Sequence, residues 1–133
     1  MPKIVMVSGK RKRAIARATI REGKGSIRVN RQRLDAVAPK LARLRIGEPL
    51  QLAGDVAKKV NITVNVHGGG WQSQTEATRL AIARGLLEFS GDKGLRQTFL
   101  DYDRHLLVAD TRHNEPHKPN DSKPRKKRQK SYR

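Results

Sequence analysis

The side chains with the clearest chemical potential are basic, and they are concentrated in two segments of the chain. In residues 10–21, Arg13, Arg17 and Arg21 recur at even spacing, which places them on one face of an extended strand. Residues 122–133 carry seven Lys or Arg side chains and no acidic one. Because guanidinium and ammonium groups bind phosphate by charge and hydrogen bonding, both segments predict a polyanionic partner.

The net charge of the whole chain favours the same partner. It is +18 at pH 7 with an isoelectric point near 11.3, and removing the seven charges of residues 122–133 still leaves +11. A charge of this size indicates nucleic acid. An anionic membrane surface is the alternative, but the sequence has no apolar span of membrane length and no basic helix with a broad apolar face.

Two further features bear on where the chain works. The sequence has no cysteine, which excludes disulfides and Cys-based zinc sites and fits a reducing, cytoplasmic setting. Residues 1–8 are too short for a signal peptide and lack a cleavage pattern, so no signal peptide is expected.

Four predicted strands and one long helix must position the basic groups. Apolar runs and alternation predict strands over residues 3–7, 13–21, 26–30 and 61–67. In the second strand the alanines and Ile20 face inward, and such small side chains let a helix pack closely. A helix over about residues 72–89 is apolar on two sides, which indicates burial between layers.

The other elements are predicted from residues that start or stop helices. Residues 8–12 are expected to form a basic turn, and a helix opens at Pro39 and ends at Gly47 and Pro49. Asp92 is placed to cap a further helix. In the long helix, Glu76 is spaced to pair with Arg79, and Arg84 is spaced to pair with Glu88.

The end of the chain changes character. Residues 106–109 form a last apolar run, predicted to be a strand or a docked segment. From Asp110 onward the composition is polar and rich in proline, as in a linker. We therefore expect a globular nucleic-acid-binding domain over residues 1–109 and an extended basic tail over residues 110–133.

No set of residues predicts an enzyme or a resident cofactor. The turn Gly68-Gly69-Gly70 could offer N–H groups to a phosphate of RNA at the start of the long helix. However, the Gly-Lys-Ser/Thr of a P-loop and the later glycines of a dinucleotide fingerprint are missing. A close approach of strand and helix is the simpler interpretation of this turn.

The His and Asp residues near the end of the chain have ordinary explanations. His113 and His117 flank Glu115, but Pro116 prevents the helix that would bring both imidazoles together, so no metal site is predicted. The acidic residues at the ends of predicted elements are interpreted as caps, and not as general acids or bases. These are Asp101, Asp103 and Asp110.

The aromatic side chains all lie outside the predicted strands. Proteins that bind single-stranded nucleic acid on a sheet stack bases on aromatic residues of the strands. We therefore expect recognition of folded RNA through its backbone and shape, without binding of unstacked bases. The aromatic residues are Trp71, Phe89, Phe99, Tyr102 and Tyr132.

Four segments, taken in order, resemble the ninth ribosomal protein of the small subunit in its archaeal and eukaryotic form. They are GKRKRAIARA over residues 9–18, GGG-x-x-x-Q with R-x-AIAR over 68–84, LVAD-x-R-x-x-EPHKP over 107–119, and RQKSYR over 128–133. Chance agreement of four motifs in this order is very improbable, and the resemblance covers nearly the whole chain.

The resemblance implies both a fold and a place of action. The fold is a two-layer α/β domain like the second domain of small-subunit ribosomal protein five, with a four-stranded mixed sheet backed by helices and an extended basic C-terminal tail. The implied role is a structural one in the cytoplasmic small subunit, bound to the rRNA of the head beside neighbouring head proteins. The tail is implied to reach the anticodon stem-loop of the peptidyl-site tRNA.

These considerations predict two sets of contact residues. Arginine suits both sets because its planar fork pairs with phosphate and stays charged. The rRNA-binding set is Lys10, Arg11, Lys12, Arg13, Arg17, Arg21, Arg112, Lys118, Lys123, Arg125, Lys126, Lys127 and Arg128. The tRNA-binding set implied by the resemblance is Lys130, Tyr132 and Arg133.

Two other classes of protein are open to the same sequence features. A chromatin or DNA-compacting protein shares the charge and the basic tail, but it would bind duplex DNA and RNA similarly. A small-molecule kinase occurs on a related fold, but it needs a long phosphate-binding loop and an acidic metal ligand in a pocket, which the sequence does not show.

Overall fold

The computed structural model describes residues 1–132. Two 3-10 turns, Leu34–Ala36 and Arg104–Leu106, accompany the regular elements. In chain order those elements are β1 (Ile4–Arg11), β2 (Ala14–Glu22), β3 (Ile27–Val29), β4 (Gln32–Arg33), α1 (Lys40–Ala53), α2 (Asp55–Lys58), β5 (Val60–His67), α3 (Trp71–Ser90) and α4 (Lys93–Tyr102).

The strands form one mixed sheet in the order β1-β2-β5-β3-β4, and only β3 and β5 run parallel. The predicted α/β fold with a mixed sheet is confirmed, although the sheet has five strands instead of four. The extra strand is short and forms a hairpin with β3. The hairpin turns at Asn30 and Arg31, which both have positive φ (50° and 69°), as a two-residue hairpin turn requires.

The first hairpin is longer than its sequence suggests. The predicted basic turn over residues 8–12 is wrong, because β1 continues to Arg11 and pairs with β2 as far as Ala14. The chain reverses only at Lys12 and Arg13, and Lys12 has a φ of 52°. Gly9 lets α3 lie close to β1, because a Cβ there would be 2.4 Å from the carbonyl oxygen of Ala77.

One face of the sheet is buried under the helices, as the alternation predicts. The alanines of β2 and Ile20 are at most 1% exposed, and the apolar residues of β5 are buried as well. α3 packs on β1 and β2 and also contacts α1. On its other side Ala83 joins a second apolar cluster with Leu95, Phe99 and Leu106. The predicted burial of the long helix between layers is therefore confirmed.

The helices differ from expectation mainly at their ends. α1 runs through Gly47 and Pro49 to Ala53, so the predicted stop is wrong; Pro49 gives up one backbone hydrogen bond but its ring is buried. The predicted cap of α4 is present, since Asp92 Oδ1 accepts a hydrogen bond from the Gly94 N–H at 2.8 Å.

The chain after α4 lies on the helical layer and then leaves it. Residues 106–109 form no strand; Leu106 is instead docked in the second apolar cluster. Residues 107–132 contain no helix or strand. The boundary expected after residue 109 stays a prediction.

Candidate nucleic-acid interface

The side of the sheet that faces away from the helices is exposed, and we call it the open face. Strand register places on it the alternate residues of β1, β2 and β5 that are not in the core. Arg17 has Ser8 of β1 and Asn65 of β5 as its cross-strand neighbours. Arg21 has Ile4 of β1 and Asn61 of β5. None of the described strand residues on this face is acidic or aromatic.

The open face collects more cations than the sequence predicts. Arg17, Arg21 and Lys10 were expected, and the structure adds Arg28 of β3 and Arg33 of β4. These two are direct cross-strand partners, an arrangement of like charges that is unfavourable unless an anion lies between them. Alternation between Ile27 and Val29 could have identified Arg28, but Arg33 required the unpredicted hairpin.

The turn Gly68-Gly69-Gly70 contacts the turn at Lys12 and Arg13 in the first hairpin, at one end of the sheet. A Cβ on Gly68 would lie 2.4 Å from the carbonyl oxygen of Arg13, and Gly68 and Gly69 both have positive φ. The close approach at this turn is therefore to the first hairpin, whereas the expected one was between the strand and the helix that the turn joins. Exposed Lys12 and Arg13 are brought next to the start of α3, whose first N–H groups favour an anion.

Arg11 is the one member of the predicted rRNA-binding set that is engaged inside the fold. Its Nε lies 2.7 Å from Glu76 Oε2 and its Nη1 lies 3.0 Å from Asp110 Oδ2, and its side chain is only 14% exposed. Asp110 also accepts hydrogen bonds from Arg112, at 2.6 Å from Nη2. The guanidinium of Arg112 remains 78% exposed.

These contacts fix the start of the predicted tail to the body. Hydrogen bonds from the Arg112 side chain and backbone, with a further contribution from the charge of Arg11, hold the pKa of Asp110 far below its usual range. Asp110 therefore remains ionised and bridges β1 to the segment that follows it. The expectation that Asp110 is only a cap missed this bridge, although its carboxylate does accept from the Arg112 N–H.

The remaining predicted residues of the tail lie on the surface. Arg125 forms a two-pronged contact with Glu115, with its Nε 2.8 Å from Oε1, yet it is 87% exposed. Tyr132 is also 87% exposed, and Arg133 lies outside the described residues. The other tail residues with predicted contacts are exposed as well: Lys118, Lys123, Lys126, Lys127, Arg128 and Lys130.

Arg79 is a buried cation that local sequence reasoning misassigned. It was expected to pair with Glu76, but its Nε lies 2.7 Å from Glu48 Oε2 and both terminal nitrogens lie 3.0 Å from Asp103 Oδ2. Its side chain is 5% exposed. This contact joins α1, α3 and the end of α4, so Arg79 organises the helical layer and is not available to RNA.

The stability of the fold should depend on pH through Asp103. Partial burial raises the pKa of Asp103, but the His105 N–H and Arg79 outweigh it, so the pKa lies below its usual value. Asp103 therefore stabilises the fold above about pH 4, and this contribution is lost as the pH falls through the lowered pKa. Thermal unfolding followed from neutral to strongly acidic pH should show this loss, and Asp103→Asn should flatten the curve in that range. Identical curves for both proteins would contradict it.

Within residues 1–132 no group of three or more His, Cys, Asp or Glu side chains is placed to hold a metal ion. No described helix has the length and apolar character needed to cross a membrane.

Comparison with known proteins agrees with the sequence motifs and the fold. A family model described as ribosomal protein S9/S16 matches residues 9–133. The small ribosomal subunit protein uS9 of Methanococcus maripaludis strain S2 is 48% identical to the chain, covering 98% of the chain and 99% of that protein. The uS9 protein of strain C7 gives the same identity and coverage. The chain therefore belongs to the ribosomal protein S9/S16 family.

Proposed function

We propose that the chain is a structural component of the small ribosomal subunit that binds and organises the rRNA of the head in the cytoplasm. As a member of a ribosomal protein family it has a structural role and no enzymatic one. The observation that carries the proposal is the open face, where Arg17, Arg21 and Lys10 stand among polar and apolar side chains with no acidic one beside them in the sheet. An RNA backbone laid across it would neutralise these charges and the Arg28–Arg33 pair.

The open face favours recognition of folded RNA. It offers cations and amide groups but no aromatic platform, so its contacts would go to phosphates and sugars. Lys12 and Arg13 extend the same surface around the end of the sheet to the glycine turn. One apolar corner, formed by Ile4 and Met6 on the edge strand β1, is exposed and suits a neighbouring protein of the head.

The tail is proposed to have two parts. From Arg112 and Lys118 through the basic residues 123–128 it would bind rRNA, and Lys130, Tyr132 and Arg133 would reach the anticodon stem-loop of the peptidyl-site tRNA. Exposure of the described tail residues and the absence of helix or strand in 107–132 support an extended course. Twelve extended residues span at most about 40 Å, so the body can stay in the head while the end of the tail contacts a mobile ligand.

Deletion of residues 122–133 tests this division of labour. The body should keep its thermal unfolding midpoint and still join small subunits, because no described core residue lies in the deleted segment. Retention of tRNA in the peptidyl site should fall by about 10-fold as charged contacts are lost.

A tail of equal length made of Gly and Ser is the matched control, since it keeps the bulk and removes the charge. It should behave like the deletion. Unchanged tRNA retention in the deletion variant, or failure of its body to fold and assemble, would show that the division is wrong.

A further inference from the structure

A cavity of about 150 Å³ lies between α1, α3 and the β3–β4 hairpin, away from the open face. Its inner wall is apolar and buried, formed by residues such as Val29, Ile46 and Val66. Trp71, the only tryptophan of the chain, lines it and is 45% exposed. A single water needs only about 10–15 Å³, so the space suits a larger group.

Thr78, one of the residues that line the cavity, has a buried hydroxyl with no hydrogen-bond partner among the described residues. Thr78 is 1% exposed, and its Oγ1 is unpaired. A threonine within a helix ordinarily bonds the carbonyl one turn earlier, and Thr75, on the same cavity wall, does so with Trp71 O at 2.6 Å. Leaving a buried hydroxyl unpaired is unfavourable, so the position of Thr78 points to a polar atom supplied from outside.

The other lining groups define the shape and chemistry of that ligand. Apolar walls with an aromatic ring favour a flat, largely apolar group that can stack. The carboxamides of Gln32 and Gln74 offer both donors and acceptors to the edge of such a group. Gln74 bonds Gly68 O at 3.2 Å, a long contact that can be exchanged.

The cavity also lies next to the start of α3, where the helix dipole favours an anion. Trp71 is the first residue of α3, and the preceding Gly70 supplies no side-chain cap, so the first N–H groups of a 20-residue helix are free to meet a phosphate. A ligand with a flat ring and an attached phosphate would satisfy the cavity and the helix start together.

We propose that this cavity binds one unstacked base of RNA, stacked against Trp71, with its polar edge bonded to the Thr78 hydroxyl and its phosphate at the start of α3. The inference rests on the proposed function, in which RNA is the partner. It adds one contact to a base to a protein surface that otherwise contacts the phosphates and sugars of RNA. It also revises the expectation that unstacked bases are not bound.

Fluorescence of Trp71 in the full chain measures occupancy directly. Titration with each of the four nucleoside monophosphates should quench its emission in a saturable way, because a base stacks on the indole ring, and inorganic phosphate should leave it unchanged. Absence of quenching by every nucleotide would overturn the proposal. Equal responses to phosphate and nucleotides would overturn it too, since they would indicate an anion site only.

Two matched variants locate the base in the cavity. Thr78→Val keeps the shape and removes the unpaired hydroxyl, so the unfolding midpoint should stay the same or rise while nucleotide affinity falls by about 3–10-fold. Thr98→Val removes a hydroxyl of α4 that lies outside the cavity and is bonded to the carbonyl one turn earlier, Gly94 O at 3.0 Å, so its nucleotide affinity should match wild type. Equal affinities for the two variants would overturn the assignment to Thr78.

Binding of a head rRNA transcript, measured by filter retention, separates this proposal from the previous one. If the transcript binds wild type but does not quench Trp71, the base-binding cavity is wrong and the open-face interface stands. If the transcript is not bound at all, the proposed function fails as well.

Discussion

Reversal of two charges on the open face, Arg17→Glu with Arg21→Glu, is expected to weaken binding of head rRNA by roughly 100-fold without unfolding the chain. Both side chains are exposed and make no described ion pair within the chain. Each lost phosphate contact should also lower the dependence of the binding constant on salt by about one ion. Filter binding over a range of salt concentrations measures both effects.

A second pair of reversals serves as the control, because it changes the net charge by the same amount at another place. Lys93→Glu with Arg96→Glu alters two exposed residues of α4, in the helical layer. This variant should bind within a few-fold of wild type. Equal losses for the two double variants would mean that net charge alone drives binding, as in a nonspecific polyanion binder.

Replacement of Arg79 by Leu is expected to lower the free energy of unfolding by roughly 3–5 kcal/mol. The guanidinium is 5% exposed, and its removal leaves Glu48 and Asp103 facing each other without their shared cation. Leucine cannot satisfy either carboxylate, and α1 would lose its contact with the end of α4. Urea unfolding monitored by circular dichroism gives the value.

A leucine substitution at the surface shows whether the effect depends on burial. Lys58 pairs with Asp55 at 3.7 Å, but both side chains are at least 80% exposed, so Lys58→Leu should change stability by no more than about 1 kcal/mol. A similarly small change for Arg79→Leu would show that the buried contact does not organise the helical layer.

The parts of the fold that could be predicted depend on local patterns. β2 and β5 alternate strictly, and α3 carries apolar residues on two sides. The residues of these elements that face the core can therefore be predicted from the local pattern. The family membership predicted from four motifs is confirmed by the family model and by the two uS9 relatives. The β3–β4 hairpin was missed because Arg31 has a positive φ, which local preference does not assign to arginine.

Residues of the site could be predicted only where their role depends on being exposed on a regular strand. Arg17 and Arg21 belong to an alternating strand, and their outward position follows from that. Arg11 and Arg79 differ because their partners come from other elements, with Glu76 lying 65 residues after Arg11 and Glu48 lying 31 residues before Arg79. A spacing rule within one helix cannot anticipate charges that the tertiary fold brings together.

The cavity beside Trp71 could not be predicted from the sequence for the same reason. Its walls come from α1, α3, β5 and the hairpin, so no local pattern predicts it. From sequence alone, Trp71 was simply an aromatic residue outside the strands. The unpaired Thr78 hydroxyl became visible only after the burial of α3 was known.

The most direct test of the central claim is sedimentation of the chain with small ribosomal subunits through a high-salt wash. Wild type and the Lys93→Glu/Arg96→Glu control should stay with the subunits, whereas the Arg17→Glu/Arg21→Glu variant should be lost from them. Retention of the open-face variant at the wild-type level would contradict the assignment of this face to rRNA. Loss of wild type itself would contradict a structural place in the subunit.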